Sequence, residues 1–391
     1  MIFDFDTIID RRQTNNIKWN LTAKHPGEPE LLPLWVADMD FQAPQEVSAA
    51  LRRHVEHGLF GYPIVPDSCY DAMIAWVKAR HGWNIHKEWI IFTPGVIPAF
   101  YWTIQAFTQP GDAVVIQPPV YPPFFKAVSA NNCVLVENEL RNVNGHYEMD
   151  MDTFEAQIKA SGAKVFVLCS PHNPVGRVWT EAELRQMAAC CLKHNVVICS
   201  DEIHADLVFP GVRHIPTASL SAEIAARTVT CFAASKTFNI AGLNTAFAVI
   251  PDPDIRAAFQ LVKHHAGNPE SNLMGVIATE AAYRHGAPWL DALLEYLKDN
   301  YDFLTRFLQE RIPQITVAKS EGTYLAWLDC RQLGRSDAEL HDLFMNKARV
   351  WLNDGTMFGS GGSGFQRLNF GCPRATLETA LTRIERAMKN N

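Results

Sequence analysis

The sequence predicts an α/β protein with a large domain, whose mostly parallel central sheet is covered by helices, and a smaller α+β domain. Between residues 89 and 250, short and almost entirely apolar strands alternate with helices, a pattern typical of parallel sheets buried on both faces. Beyond residue 286, one long helix precedes strands mixed with shorter helices. The 391 residues, 48% of them hydrophobic, are enough for two domains with substantial cores.

The predicted organisation has three parts. Residues 1–45 form an N-terminal arm and part of the small domain, residues 46–285 form the large domain, and residues 286–391 form the small C-terminal domain. The arm has its apolar centre at Leu31–Phe41, where a short strand is expected.

The predicted elements follow from apolar runs bounded by Pro, Gly and capping residues. Helices are predicted at 45–57, 67–80 (with Asp67 as its cap), 98–108, 124–130, 151–160, 181–194, 288–311, 336–348 and 374–388. Strands are predicted at 89–93, 113–116, 133–137, 164–169, 196–200, 228–232, 246–250, 315–317, 324–328 and 365–370. The polar stretch 138–150 is expected to connect two of them.

Composition narrows the function classes. The net charge of −7, from 35 basic and 42 acidic residues, is well mixed along the chain, which argues against nucleic-acid and membrane-surface partners. Asp4 and Asp6 stand where a signal peptide needs basic and then apolar residues, and no apolar run reaches about 18 residues, so we expect a cytoplasmic protein. The 9 cysteines show no zinc-type or paired spacing, and we interpret them as core thiols.

Two short motifs are interpreted as coincidences. Gly359–Gly364 matches the glycine pattern of dinucleotide sites, but it leads into a strand rather than a helix, so we expect a flexible loop. His204 and Asp206 have the spacing of an iron-binding pair, yet the predicted fold is not the all-β barrel that such sites usually occupy. No metal is therefore expected.

Lys236 is the centre of the functional prediction. The apolar strand Thr228–Phe232 leads into a loop of small and polar residues that contains Ser235 and Lys236. A lysine in this position either extends its amine back to solvent or is held inside, where its pKa falls and the amine becomes nucleophilic. The local sequence leaves both alternatives open.

The wider pattern favours the second alternative. Asn173, Asp201 and Lys236 each follow the carboxyl end of a different predicted strand, and Gly95–Ile97 follows another as a helix begins. Ligands of parallel sheets bind at the carboxyl ends of the strands. We therefore expect these residues to meet at one edge of the sheet.

This combination suits pyridoxal 5'-phosphate. A lysine can form a Schiff base with the cofactor, and a carboxylate can keep the pyridine nitrogen protonated so that the ring acts as an electron sink. The N–H groups of a helix start suit the phosphate. Asn173 and the nearby Tyr121 supply a polar and an aromatic contact.

Six motifs of the chain match a known family. Three of them are Ser-Pro-His-Asn-Pro-Val-Gly (170–176), Ser-Asp-Glu-Ile-His (200–204) and Arg-Leu-Asn-Phe-Gly-Cys-Pro (367–373). With these motifs the chain resembles the class I/II aminotransferase superfamily of fold type I, the PLP-dependent transferase fold, over nearly its whole length. The other three are Trp-Val-Ala-Asp-Met-Asp-Phe (35–41), Gly-Leu-Phe-Gly-Tyr (58–62) and Lys-Thr-Phe-Asn-Ile-Ala-Gly-Leu (236–243). They are similar to the cystathionine β-lyase, or cysteine-S-conjugate C–S lyase, branch of that superfamily.

The resemblance implies a role for each matching residue around the cofactor ring. Lys236 would carry the cofactor and act as the base at the substrate Cα, and Asp201 would pair with the pyridine nitrogen. Asn173 would bond the ring 3′-oxygen with help from His204. Tyr121 would stack on the ring and is expected, with Lys236, to be catalytic.

The resemblance also implies the phosphate and substrate contacts. The phosphate would bind the amides of Val96 and Ile97, Ser235, and Tyr62 from a second subunit, which implies a homodimer with its active site at the subunit interface. The substrate, a small sulfur amino acid, would bind through Asn173, Ala37 and Arg367, whose guanidinium would clamp the carboxylate in a bidentate way.

The implied activity is α,β-elimination from L-cystathionine or a related cysteine S-conjugate, which yields pyruvate, ammonia and a thiol; cystathionine would give homocysteine. Asn244 stands where the best-known aminotransferases carry a phosphate-binding arginine, which argues against that branch. Two alternatives stay open: an aminotransferase that uses the same residues, and a lyase or lyase-like protein with a regulatory binding role.

Overall fold

The computed structural model describes residues 3–27, 29–267 and 271–389. The strands are β1 (Leu32–Pro33), β2 (Ile90–Thr93), β3 (Ala113–Ile116), β4 (Val134–Glu137), β5 (Arg141–Val143), β6 (His146–Glu148), β7 (Val165–Cys169), β8 (Val197–Asp201), β9 (Thr228–Phe232), β10 (Ala246–Val249), β11 (Thr316–Val317), β12 (Leu325–Asp329), β13 (Val350–Trp351), β14 (Asn353–Asp354) and β15 (Phe365–Asn369).

The helices are α1 (Ile17–Asn20), α2 (Gln45–His57), α3 (Asp67–His81), α4 (Val96–Phe107), α5 (Pro123–Ala130), α6 (Met151–Ser161), α7 (Glu181–Lys193), α8 (Ala222–Ala225), α9 (Ala234–Thr237), α10 (Pro253–His265), α11 (Leu273–His285), α12 (Ala287–Arg311), α13 (Asp337–His341) and α14 (Arg374–Lys389). A π-helix at Asp342–Lys347 continues α13, and short 3-10 turns complete the connections.

The central sheet has 7 strands in the order β2-β10-β9-β8-β7-β3-β4. Strands β9, β8, β7, β3 and β4 are parallel, whereas β10 is antiparallel to both of its neighbours. Since β2 and β9 are each antiparallel to β10, these two strands run in the same direction. The carboxyl ends of β2, β7, β8 and β9 therefore lie at one edge, which confirms the predicted α/β class.

Helices cover both faces of this sheet. On β7, Val165 and Val167 join a core cluster that includes Phe124 and Phe259 of α5 and α10, whereas Phe166 packs on the opposite face with residues of α6 and α7. Successive side chains of a strand point to opposite faces, so a strand covered on both sides must be apolar at every position. This explains the near-continuous apolar runs of the sequence.

A second sheet, in the order β11-β12-β15-β14, is antiparallel and packs with the long helix α12 and with α14. The arm joins this region because β1 pairs in parallel with β13, with Leu32 opposite Val350. The three-part domain division at residues 45 and 285 stays a prediction.

Three local predictions were wrong. Asp67 does not cap α3, because Pro66 occupies the cap position and Asp67 is the first helical residue, where it pairs with Lys87. Helix α4 begins at Val96 and not at residue 98, since proline at position 98 is tolerated in the first turn. The polar stretch contains the hairpin β5–β6, whose turn residues Asn144 and Gly145 both have positive φ, as a type I′ turn requires.

Candidate active site

A cavity of about 630 Å³ opens at the carboxyl edge of the central sheet. Most of the predicted site residues line it: Ala37, Val96, Ile97, Tyr121, Asn173, Asp201, His204, Ser235 and Lys236. Arg367 is not part of the lining, but it donates to Asn173, which is. Tyr62 is fully exposed, at 105% of its reference area, and lies outside the cavity.

Lys236 is delivered by α9, which begins two residues after β9 ends. Its amine points inward and donates a hydrogen bond of 2.5 Å to the carbonyl of Ala37. Burial lowers the pKa of Lys236 to about 8, while the charges of Asp38 and Asp201 oppose this shift and that of Arg367 adds to it. A substantial fraction of the amine is therefore neutral, and so nucleophilic, near pH 8.

Asp201 is the last residue of β8 rather than the first residue beyond it, and it is 4% exposed. Burial raises the pKa of its carboxyl to about 7, although a hydrogen bond from the amide of Ile203 at 3.2 Å and the charge of Lys236 oppose the shift. Because burial disfavours an isolated carboxylate, a cationic partner placed beside Asp201 would be strongly stabilised.

Arg367 lies on β15 and is 5% exposed. It donates to the side chains of Asn173 at 3.1 Å and Asn353 at 2.6 Å and to the carbonyl of Trp35 at 2.7 Å. Its Nε has no hydrogen-bond partner among the residues that the structure describes. Burial lowers the pKa of Arg367 to about 10, and the guanidinium stays protonated at neutral pH.

His204 and Tyr121 flank the polar groups of the cavity. Burial, with the positive charges of Lys236 and Arg367, lowers the pKa of His204 to about 3, so the imidazole is neutral. Its Nδ1 has no hydrogen-bond partner within the described ranges. Tyr121 keeps its proton at neutral pH, because burial raises the pKa of its phenol to about 12.

The start of α4 also lines the cavity. The amides of the first helical turn have no intrahelical acceptors, and the positive end of the helix dipole lies there. Val96 and Ile97 begin this helix, and the Ser235 side chain and Asn244 line the same cavity. The arrangement suits a phosphate.

Sequence reasoning missed several residues that hold the site together. The hydroxyl of the fully buried Tyr324 donates at 2.9 Å to the Ala37 carbonyl, the acceptor that Lys236 also uses. Asn239 and Asn369 bind the backbone on either side of Ala37. Their roles depend on tertiary contacts between distant segments, for which the local sequence carries no pattern.

Of the two coincidental motifs, only His204 lines the cavity, whereas Asp206 and Gly359–Gly364 do not. Asp206 binds His81, Trp76 and Thr237, so it does not share a site with His204. In the described ranges, no cluster of three or more His, Cys, Asp or Glu side chains has an arrangement that could hold a metal. Gly359–Gly364 leads directly into β15, as expected.

The residues present fit pyridoxal phosphate. The cavity is lined by an inward-pointing lysine, an open helix start and the buried carboxylate of Asp201, which has no ion-pair partner among the described residues. Among the same residues, one nitrogen each of His204, in the lining, and Arg367, which contacts the lining residue Asn173, has no hydrogen-bond partner. Unpartnered buried polar atoms are costly unless a ligand completes their hydrogen bonds. The donor set supplies a lysine for an aldehyde, a carboxylate for a pyridine nitrogen and amides for a phosphate.

Residues 29–384 match the family model for aminotransferase class I and II. The chain therefore belongs to the aminotransferase class I and II family, as its motifs predicted. Among its relatives is the cystathionine β-lyase PatB of Bacillus subtilis, which is 43% identical over 98% of this chain and 100% of its own length.

Solved structures agree with this placement. Cystalysin from Treponema denticola, described as containing a pyridoxal 5'-phosphate cofactor, is 36% identical with a TM-score of 0.97, and 100% of each chain is covered. The PLP-bound C–S lyase of Staphylococcus hominis is 31% identical with a TM-score of 0.92, covering 99% of this chain and 98% of that one. The fold-type-I expectation is confirmed.

No helix in the described part of the chain is both long enough and apolar enough to cross a membrane.

Proposed function

We propose that this protein is a PLP-dependent C–S β-lyase that cleaves L-cystathionine or related cysteine S-conjugates to pyruvate, ammonia and a thiol. The observation that carries the proposal is the inward-pointing Lys236 in a cavity shared with Asp201, whose carboxylate has no ion-pair partner in the described part of the chain. The 43% identity with a cystathionine β-lyase over nearly the whole chain supports the choice of reaction.

The cofactor would be held by Lys236, Asp201, Asn173, Ser235 and the amides of Val96 and Ile97, with His204 beside Asn173 and Tyr121 against the ring. When bound, pyridoxal phosphate supplies an electron sink that stabilises negative charge at the substrate Cα. That charge is what allows a sulfur substituent at Cβ to leave.

The remaining chemistry belongs to the side chains. The Arg367 guanidinium would bind the substrate carboxylate, with Ala37 and Asn173 as further contacts, and so orient the Cα–H bond. The Lys236 amine would remove the Cα proton, for which a pKa of about 8 in the cofactor-free chain is favourable. Asp201 would hold a proton on the pyridine nitrogen by charge pairing.

An aminotransferase is the second candidate, because it needs the same lysine, aspartate and arginine. The two reactions differ in whether the proton taken from Cα returns at the cofactor or a substituent leaves from Cβ. Asn244, which stands where the best-known aminotransferases carry a phosphate-binding arginine, lines the cavity. This argues against that branch of aminotransferases. A regulatory role and a cytoplasmic location stay predictions from the sequence.

We further propose that the enzyme works as a homodimer and that Tyr62 contributes to the phosphate site of a second copy. The loop after α2 exposes several large apolar side chains, with Leu59 68%, Phe60 61% and Ile64 82% exposed next to Tyr62. Apolar groups at this density mark an association surface rather than a solvated loop. Tyr62 does not line the cavity of its own chain.

Mixing two inactive variants tests the dimer. Lys236→Ala and Tyr62→Ala subunits, co-expressed, can form hybrids with one intact site if Tyr62 acts across the interface, which restores about a quarter of wild-type activity for random pairing. No recovery in hybrids that a pull-down shows to have formed would contradict the shared site. A monomer in sedimentation would contradict the dimer itself.

Incubation with L-cystathionine, without any keto acid, tests the function. We expect pyruvate and free thiol in equal amounts over many turnovers. A single turnover that resumes only when a keto acid is added would establish the aminotransferase instead. Pyruvate formation that is unaffected by removing the cofactor would overturn the cofactor assignment.

A further inference from the structure

The segment Trp35–Phe41 lies between Lys236 and Arg367 and contains no helix or strand. Side chains of the active site bind its backbone. Arg367 donates to the carbonyl of Trp35 at 2.7 Å, and Lys236 donates to the carbonyl of Ala37 at 2.5 Å. The segment therefore connects the proposed base to the proposed carboxylate clamp.

Asn369 holds the segment on both sides of Ala37. Its Nδ2 donates to the carbonyl of Val36 at 2.5 Å and to that of Asp38 at 2.6 Å, while its Oδ1 accepts from the amide of Gly371 at 2.8 Å. Asn369 follows Arg367 by two positions on β15, so both side chains point to the same face of that strand. It is fully buried.

Asn239 holds the other half of the segment. Its Nδ2 donates at 2.8 Å to the carbonyls of both Met39 and Phe41, and its Oδ1 accepts from the amide of Met39 at 3.0 Å. Asn239 lies three residues beyond Lys236 with a φ of +56°, a left-handed conformation that asparagine adopts more readily than other residues with a Cβ. Lys236 and the side chain that binds Met39 and Phe41 therefore lie only three residues apart in the sequence.

We propose that Asn239 and Asn369 are positioning residues for the elimination: they fix the Ala37 carbonyl, and with it the Lys236 amine, relative to Arg367. Both donor hydrogens of each amide bind carbonyls of the segment, and neither residue lines the cavity. They therefore act through the segment and not on the substrate. This inference rests on the proposed function, because it assigns Lys236 and Arg367 their roles.

Asn300 provides a matched control. This fully buried residue also donates to two carbonyls, those of Phe370 at 3.1 Å and Cys372 at 2.9 Å, and its Oδ1 accepts from Arg374 at 2.7 Å. It makes the same kind of clamp on a stretch of chain that does not line the cavity. Asn300→Ala thus removes equivalent hydrogen bonds and makes no direct contact with Trp35–Phe41; its link to the segment runs through Gly371, whose carbonyl accepts from the Asp40 amide at 2.8 Å.

The first test compares Asn369→Ala, Asn239→Gly and Asn300→Ala as holoenzymes. Glycine is chosen at 239 because it adopts a positive φ without strain. We expect kcat with L-cystathionine to fall about 10²-fold in the first two variants, as for a misplacement of reacting groups by about 1 Å, with a smaller change in KM. Asn300→Ala should lower the melting temperature but keep kcat. Equal loss of kcat in all three variants would overturn the proposal.

The second test measures the amine itself in the cofactor-free full chain. Reductive methylation with formaldehyde and cyanoborohydride at a fixed pH is followed by peptide mass spectrometry, with the exposed Lys126 as the internal reference. Lys236 should react several-fold faster in Asn369→Ala and Asn239→Gly, because a displaced Ala37 carbonyl no longer holds the amine, and at an unchanged rate in Asn300→Ala. The groups that face it, Asp38, Asp201, His204 and Arg367, are unaltered.

Unchanged methylation of Lys236 in the two variants would overturn the proposal even if kcat fell. The fall in kcat would then have a cause other than displacement of the Lys236 amine. Failure of the proposed function has a different signature: the wild-type protein would form no pyruvate but would convert an amino acid to its keto acid in a single turnover. The rate of that turnover, measured in the same three variants, would then decide the positioning roles.

Discussion

Two clusters of buried charged side chains share the stretch from Asp201 to Asp206, but they differ in pairing. The first, called here the rear cluster, consists of Glu202, Asp206, His81 and His214. Each carboxylate in it contacts a histidine, with 2.8 Å between Glu202 Oε2 and His214 Nε2 and 3.0 Å between Asp206 Oδ1 and His81 Nε2. Hydroxyl and amide groups, such as those of Thr217 and Thr237, supply further hydrogen bonds.

The second, called here the site cluster, consists of Asp201, His204, Lys236 and Arg367. Asp201, His204 and Arg367 are buried to a similar degree and Lys236 is half-buried, yet none of the four forms an ion pair within the described ranges. Removing one partner of a buried charge pair lowers the stability of the folded state, and so does burying a charge without a partner. We infer from this difference that the rear cluster stabilises the fold, whereas the charged groups of the site cluster are available to pair with a ligand.

Removing the lysine tests the site cluster most severely. Lys236→Ala should lower pyruvate formation from L-cystathionine by about 10³-fold or more, the range of a positioned general base. Lys126→Ala, which removes an exposed lysine, is the control for charge loss. An active Lys236→Ala enzyme would show that Lys236 is not the base that removes the Cα proton.

Asp201→Asn separates function from stability. We expect about a 10²-fold loss of turnover, because the amide cannot hold a proton on the pyridine nitrogen by charge pairing. In the cofactor-free chain, the same substitution should leave the free energy of unfolding unchanged or raise it, since an unpaired buried charge is removed. A strong destabilisation would show that Asp201 belongs with the paired, structural charges.

Glu202→Gln is the neighbouring counterpart in the rear cluster. It replaces the carboxylate oxygen that lies 2.8 Å from His214 Nε2 with an NH2 group, while the remaining oxygen can still accept from the amide of Thr217. The free energy of unfolding should fall by about 2 kcal/mol, measured by denaturant titration of the cofactor-free chain, because hydrogen bonds to charged groups contribute about 1.5–3 kcal/mol. Equal stability of this variant and Asp201→Asn would erase the distinction between the clusters.

Arg367→Lys keeps the charge of the site cluster but removes the planar fork. We expect kcat/KM to fall about 10-fold, with most of the change in KM, since hydrogen bonds to charged groups contribute about 1.5–3 kcal/mol. Arg374→Lys is a suitable control, because Arg374 binds Asn300 and stacks on Phe303. Unchanged kinetics in Arg367→Lys would argue against bidentate binding of the carboxylate.

The last prediction concerns pH. The pKa of Asp201 rises from 3.8 to about 7 on folding without cofactor, so the folded chain keeps a proton that the unfolded chain has lost. The stability that this carboxyl contributes is present below about pH 4 and disappears as the pH rises through 7. Wild type should therefore become progressively less stable than Asp201→Asn across that window. A difference that is constant with pH would contradict the raised pKa.

Much of the large domain could be predicted because its strands are apolar on both faces and end in turns rich in Gly, Pro and polar residues. Thr228–Phe232 was predicted to the residue. The hairpin β5–β6 was missed although its Asn144-Gly145 dipeptide is a strong turn signal, because its strands are short and largely polar.

The site was predictable only in part. The edge rule for parallel sheets placed Asn173, Asp201 and Lys236 together, and the structure brings them to one cavity. Arg367 reaches them from a separate sheet, and only the family resemblance indicated it. Asn239 and Asn369 lie inside two of the motifs, but the sequence assigned them no role, since each binds backbone that lies about 200 or 330 residues away in the chain.

Trapping the cofactor tests the central claim most directly. Borohydride reduction of the purified holoenzyme fixes the bond between pyridoxal phosphate and the lysine that carries it, and peptide mass spectrometry locates the modified residue. We expect a single modified peptide that contains Lys236, with labelling lost in Lys236→Ala. A modified lysine elsewhere, or none in protein with the cofactor bound, would contradict the assignment of the site cluster as the cofactor site.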